Sequence, residues 1–202
     1  MDKYPTQLFD KVEPLPPEVP QNRLGDHGLH VVQGLTEDLA NQLVVRSHEE
    51  AVAQFCGSDK DGRFSNLEAI ETWQQKGRLA LPLVKSVGDS SLKLMGMGWM
   101  GPGTPGKDGP AIPNAKTTFA IRLYEGATGQ GNATPYTRAI LAAHQSVMEN
   151  NNGVWLEAWG DNTNAIAAYA RVGFRQIARL QGNRHGEPKP RVYMVLDSLI
   201  LR

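Results

Sequence analysis

The sequence has one cysteine, no excess of either charge and no long apolar run, and each shortage narrows what the chain can be. Its lone thiol, Cys56, cannot close a disulfide within the chain, which points to a reducing compartment. The residue reads as a small buried hydrophobe, with a catalytic thiol as the sharper alternative. Basic and acidic residues balance at 21 each, so the basic excess that a nucleic-acid partner asks for is missing and none is expected. No stretch reaches the roughly 20 apolar residues of a membrane span. The opening MDKYPTQLFDKVEP has no positively charged lead into an apolar run, so the expectation is a cytoplasmic chain with no membrane partner. What is there fits a single well-filled domain: 202 residues, 40% hydrophobic and 21% charged.

Residues Met1 to His27 hold Pro5, Pro14, Pro16, Pro17 and Pro20 among polar residues, which blocks regular helix and predicts an extended or polyproline-like arm over 1–27. Such an arm lies on the surface or serves as a lid or dimer arm. A domain over 28–202 follows. Leu29 to Val32 reads as a strand. Thr36 caps a helix from about Glu37 to His48, or on to Phe55. Gly57 to Gly62 reads as a polar turn whose likeness to a calcium loop lacks the remaining ligand positions, so no metal is expected. Ser65 or Asn66 caps a helix ending near Gly77. Leu79 to Val87, with Pro82 at an edge or bulge, turns at Gly88-Asp89-Ser90 into a return strand, Leu92 to Trp99.

Gly96-Met97-Gly98-Trp99-Met100-Gly101 spells the dinucleotide fingerprint, but Pro102 and Pro105 follow where a helix would have to begin. These glycines therefore belong to a bulged or tightly packed strand. Gly101 to Lys116 is a proline- and glycine-rich loop placed to border a pocket.

Thr117 to Tyr124 alternates like a strand. Gly126, Gly129 and Gly131 follow, then a helical stripe at Ala133, Tyr136, Ile140, Ala143 and Val147 with Pro135 in the first turn. A strand, a glycine-rich turn and a helix N-terminus make an anion site, because free backbone N–H groups and the helix dipole meet where small residues admit a phosphate. The turn ends in Gly131-Asn132-Ala133 rather than Gly-Lys-Ser/Thr, which disfavours ATP hydrolysis. Val154 to Trp159 is the next strand. Asp161 or Asn162 caps a helix carrying Ala165, Ile166, Tyr169 and Val172, and Gly173 ends it.

The order G-x-x-G-x-G, helix, L-E-A strand, then N-x-x-A-I-x-x-Y-x-x-x-G-F resembles the GNAT (general control N-acetyltransferase-related) superfamily of acyl-CoA N-acyltransferases. The spacing of Leu156-Glu157 and Asn162 to Tyr169 is similar to the ribosomal-protein alanine acetyltransferase type. The resemblance covers Thr117 to Phe174 closely, and it departs at Gly126, where the family usually has Arg or Gln. It implies a mixed α/β fold: a mostly antiparallel sheet whose parallel strand pair splays apart, helices on both faces, and acetyl-CoA as cosubstrate without a metal. The coenzyme site it implies comprises Leu123, Tyr124, Gly126, Thr128, Gly129, Gln130, Gly131, Asn132 and Ala133, with Asn162 and Ala165 toward the pantetheine arm; Asn162 equally fits a helix cap.

On that resemblance Tyr169 protonates the leaving thiolate and Glu157 is the general base, directly or through a water. A phenol with pKa about 10 is a donor at neutral pH, whereas a strand glutamate can also simply face solvent. Glu125 is a weaker base candidate, and His144 fits a partly buried helix face better than catalysis. The expected activity is direct acetyl transfer to a primary amine in a ternary complex, since Cys56 lies outside the central unit. The alternatives are another acyl group, a small-molecule amine such as an amino sugar or aminoglycoside, or a degenerate module that binds coenzyme A or a protein. A homodimer is compatible with the sequence. After Phe174, Gln176 to Leu180 reads as a strand, Gly182 to Pro190 as a polar hairpin loop and Arg191 to Leu196 as the returning strand. Acceptor choice is expected from Glu37–Gly77 and the final hairpin, Gln181–Arg191, whose Arg184, His185 and Lys189 can line the acceptor side.

Overall fold

A computed structural model describes residues 9, 11–88, 91–147 and 153–197. Its strands are β1 (Glu13–Pro14), β2 (Leu29–Gln33), β3 (Leu79–Val87), β4 (Ser91–Pro102), β5 (Thr117–Leu123), β6 (Val154–Trp159), β7 (Arg175–Arg184) and β8 (Glu187–Leu196). They form one sheet in the order β1-β2-β3-β4-β5-β6-β8-β7. Every neighbouring pair is antiparallel except β5 with β6. The parallel pair needs a crossover, which α5 (Ala133–Val147) supplies. The fold is mixed α+β, with helices on both faces of the sheet, as the family resemblance implied.

Alternation along the strands divides the core. Val31, Leu81, Phe119 and Leu156 face α5, α6 (Thr163–Val172) and the short α1 (Asn22–Gly25). Val32, Ala80, Trp99 and Tyr124 face α2 (Glu37–Arg46), α3 (Glu50–Ser58) and α4 (Leu67–Gln74). The caps are those the sequence advertises. Thr36 Oγ1 accepts from Leu39 N–H, Asn66 Oδ1 from Ala69 N–H and Asn162 Oδ1 from Ala165 N–H, while Gly173 ends α6 in the left-handed region at φ 110°.

The glycines of β4 do serve packing. A Cβ on Gly98 would overlap Ile140 and the Tyr136 hydroxyl, so its absence lets α5 sit directly on the sheet, where Tyr136 Oη donates to Leu81 O at 2.6 Å. Met95 is the extra residue of a bulge, since Leu83 pairs with Gly96 and Val84 with Leu94. Pro82 lies one residue from that shift, and the pairing of β2 with β3 stops at Leu83, so no ladder bond is lost to the proline. The Gly88–Ser90 turn lies partly outside the described residues.

Four local expectations are corrected. The described part of the proline-rich arm does not ride on the surface: β1 pairs with β2, and Leu15, Val19 and Leu24 are buried in the core. Proline excludes long helix but not apolar anchoring. The continuation of the first helix to Phe55 does not occur: α2 ends at Arg46, close to the expected His48, with Ser47 as its C-cap and the Ser47 Oγ donating to Val44 O, and α3 starts afresh at Glu50. Gly57 to Gly62 is not a free turn but the end of α3 and a π-helical turn, Asp59–Arg63, drawn onto the sheet by the buried Asp59 carboxylate. The polar loop expected over Gly182–Pro190 is paired strand, closed by His185 and Gly186 at φ 54° and 85°. Pro188 and Pro190 are tolerated because they lie beyond the part of β8 that pairs with β6.

Candidate active site

β5 and β6 pair only through Thr117 with Val154 and Thr118 with Trp155. Past those residues the facing edges of the two strands have no strand partner among the described residues, and a cavity of about 1150 Å³ opens there. From β5 it is lined by Thr118, Ala120 and Arg122, and from β6 by Glu157 and Trp159. Phe119 also borders it although its side chain packs in the opposite layer.

Tyr169 sits in that opposite layer. Its ring is buried, with edge contacts to Phe119 at 5.9 Å and Phe174 at 6.0 Å between centroids. Yet it lines the same cavity as Arg122 and Glu157, so the cavity passes through the gap between the strands and joins the two faces of the sheet. Burial pushes the Tyr169 phenol up to about 12, opposed by the nearby Arg122 guanidinium and supported by Cys56. The hydroxyl therefore keeps its proton throughout the neutral range.

Glu157 is on the other wall, exposed, with Arg191 Nη1 3.6 Å from its carboxylate. Asn162 and Ala165 also line the cavity, Asn162 with its Oδ1 already engaged as the cap of α6.

The glycine turn is elsewhere. Gly126, Gly129 and Gly131 adopt φ of 87°, 78° and 77°, and residues 128–131 are exposed. A Cβ on Gly129 or Gly131 would meet nothing within 4 Å, so the turn presents open backbone beside the first turn of α5. Its side chains mostly hold the turn itself. Thr128 Oγ1 lies 3.0 Å from Leu123 O and 3.2 Å from Tyr124 O, to either of which it donates. Buried Asn132 donates from Nδ2 to Ala127 O at 3.0 Å, and its Oδ1 is 2.8 Å from His27 Nδ1. Tyr124 points into the core under α2–α4, and its N–H donates to Met95 O. What Leu123 to Ala133 present outward is therefore mainly the backbone of Gly129–Gly131, the exposed Gln130 and the free N–H groups that begin any helix. None of these residues lines the cavity.

Sequence reasoning missed the cavity's charged wall. Asp59, 1% exposed, accepts from Arg122 Nε at 2.7 Å, and Arg63 Nη1 lies 3.2 Å from its other oxygen. Both guanidinia cover the Trp99 ring, at 4.8 Å for Arg122 and 5.3 Å for Arg63. Cys56 lines this wall too, although it lies outside the central unit in sequence; burial pushes its thiol up, so the thiolate is disfavoured. The final hairpin closes the far side. Arg184 covers Phe55 and Trp159, and Arg184 and His185 line the cavity whereas Lys189 does not. Only one signal for this wall was available beforehand, the arginine in an otherwise apolar strand at 122.

His144 is buried in α5 and does not line the cavity; burial lowers its imidazole to about 4, which keeps it neutral. Among the described residues, no cluster of three or more His, Cys, Asp or Glu side chains could hold a metal, and no helix is long and apolar enough to cross a membrane.

Solved structures share this architecture. The chain has the GNAT acetyltransferase fold. Spermidine N-acetyltransferase from Vibrio cholerae, in complex with CoA and spermine, superposes with a TM-score of 0.65 at 14% identity, over 85% of this chain and 96% of that one. An acetyltransferase of the GNAT family from Streptococcus pneumoniae gives 0.64 at 15% identity, over 84% and 99%. AAC(6')-Ib in complex with ribostamycin and coenzyme A gives 0.60 at 16% identity, over 83% and 93%. No family model matches the sequence, and no curated protein matches it.

Proposed function

We propose that the chain is an acyl-CoA-dependent N-acyltransferase that transfers acetyl from acetyl-CoA to a primary amine within one ternary complex. The observation that carries this reading is the cavity running through the gap between β5 and β6, with a protonated Tyr169 on one side and the Glu157 carboxylate on the other. The residues present fit the coenzyme. Gly129 and Gly131 leave open backbone at the start of α5, as phosphates need, and the unpaired edge of β5 past Thr118 offers main-chain groups to an extended arm. In this reading the turn from Gly126 to Ala133 holds the phosphates, and Asn162 and Ala165 flank the arm. Acetyl-CoA, when bound, supplies the activated thioester.

The chain's own side chains supply proton management. The Glu157 carboxylate takes a proton from the ammonium or amine of the acceptor, and the Tyr169 phenol holds the proton that a departing thiolate needs. Half-buried Cys56, its thiol pushed up by partial burial, keeps its proton, which favours direct transfer over an acyl-cysteine route. The amine ligands of the structural neighbours, spermine and ribostamycin, support an amine acceptor for this chain. Thiol release from acetyl-CoA that depends on an added amine tests the reading, together with calorimetric binding of coenzyme A. No binding and no release with any amine would sink it.

A further inference from the structure

The deeper charges lining the cavity are all arginines. The acidic Asp61, Glu68 and Glu157 and the basic Lys76 are exposed, while Arg63, Arg78, Arg122, Arg184 and Arg191 are half-buried. Arg63, Arg122, Arg184 and Arg191 are paired with only three carboxylates, Asp59, Asp161 and Glu157. The shortfall is at Asp59, which two guanidinia share. Arg122 holds it at 2.7 Å and is the less exposed of the two, so Arg63 is left with the longer contact and a side chain 32% exposed on the cavity wall.

Both guanidinia lie over the Trp99 ring, Arg122 at 4.8 Å and Arg63 at 5.3 Å from its centroid. The π-helical turn places Asp59 and Arg63 four residues apart, each at one end of it. Such turns are frequent where a backbone is arranged for a ligand. Burial lowers the Arg63 guanidinium from its ordinary value even with Asp59 beside it, as expected of a cation whose compensation is incomplete. A polycationic amine meets the wrong charge in this wall. An anion meets two guanidinia already held in place, Arg122 by Asp59 and the Ile121 carbonyl and Arg63 by Asp59 and the Ser58 hydroxyl, so little ordering remains to be done on binding.

Resting on the acyltransferase reading above, we infer that the acceptor is a small primary amine that also carries an anionic oxygen group, a carboxylate or a phosphate, bound by Arg63 and Arg122. Five amines test this with acetyl-CoA: phenylalanine against phenethylamine, glucosamine 6-phosphate against glucosamine, and spermidine. The expected result is a kcat/KM at least about ten-fold higher for the anionic member of one pair, the pair itself telling carboxylate from phosphate. In Arg63→Gln the KM for that amine rises and the preference falls toward one. The ratio is taken on a single preparation, so partial unfolding does not change it. Where none of the five turns over, tryptophan fluorescence in the presence of coenzyme A gives the same comparison as binding, because Trp99 lies under both guanidinia.

Equal values within both pairs, preference for spermidine, or a preference that survives Arg63→Gln overturns the inference while the enzymatic reading stands. Failure to bind coenzyme A at all ends both.

Discussion

The two ends of the gap between β5 and β6 are built by opposite means. At the glycine turn the chain exposes backbone and little else, and the side chains of Thr128 and Asn132 are spent on holding the loop. At the cavity, beside the open edge of β5, recognition falls mainly to side chains gathered from α3, α4, β4, β5, β6, α6 and the β7–β8 hairpin. A site made of backbone depends on local order and survives large sequence change. A site made of side chains is specific, and each wall residue can change alone. This division fits the comparisons, in which the fold is retained at 12–18% identity.

The sharpest test of the division is the residue that belongs to the middle of the gap. In Tyr169→Phe the ring keeps its contacts with Phe119 and Phe174, so Tm should hold while kcat falls by about 100-fold or more. The coenzyme Kd should not move. A kcat within a few-fold of wild type would remove Tyr169 from the chemistry and leave it a packing residue.

Next in size is a stability effect in α5, the helix whose start forms one end of the gap. His144 has its imidazole lowered to about 4 from 6.5 by burial, so the folded state binds fewer protons than the unfolded one between those values. Stability is therefore fully present above pH 6.5 and lost as pH falls toward 4, by about 3 kcal/mol at most. Urea unfolding at pH 7 and pH 4.5 should show this loss in wild type and a flatter profile in His144→Gln. Equal slopes would mean that His144 stays neutral in neither state or in both. Gly98→Ala probes the seat of the same helix. Forcing a methyl against Ile140 and Tyr136 should cost about 1–3 kcal/mol, measured as a lower denaturation midpoint.

The same division explains what the sequence discloses. Strands β5 and β6, the α6 cap at Asn162, Tyr169 and the stop at Gly173 were legible because each is set by neighbours within a few residues. The parallel pairing and the layers were implied by the family resemblance that those elements carry. The arginine wall was not legible. Asp59 and Arg122 are 63 residues apart, and nothing near either announces the other. Read locally, Asp59-Lys60-Asp61 is a polar turn; it is the guanidinia of Arg122 and Arg63 that let Asp59 be a core residue within a π-helical turn. The hairpin was misread for a related reason. Its prolines forbid a central strand, but the pairing with β6 ends before reaching them. Leu15, Val19 and Leu24 were hidden in the same way by the prolines around them.

The smallest expected effect separates the two ends most cleanly. Gly131→Glu adds a carboxylate where a Cβ meets nothing within 4 Å, so it causes no clash and places negative charge at the start of α5. That charge suits the helix dipole in the free protein and opposes bound phosphates, which should weaken coenzyme A binding by about ten-fold. The left-handed φ of 77° adds strain for any side chain, and Gly131→Ala carries that strain without the charge. The difference between the two variants in calorimetric Kd thus isolates electrostatics at the turn. It should shrink as salt is raised, because the site is exposed and screened. The acceptor KM, set at the other end by Arg63 and its neighbours, should be the same in both variants at saturating acetyl-CoA. If Gly131→Glu shifts the acceptor KM and spares the coenzyme Kd, the turn does not hold phosphates and the two ends are not separate.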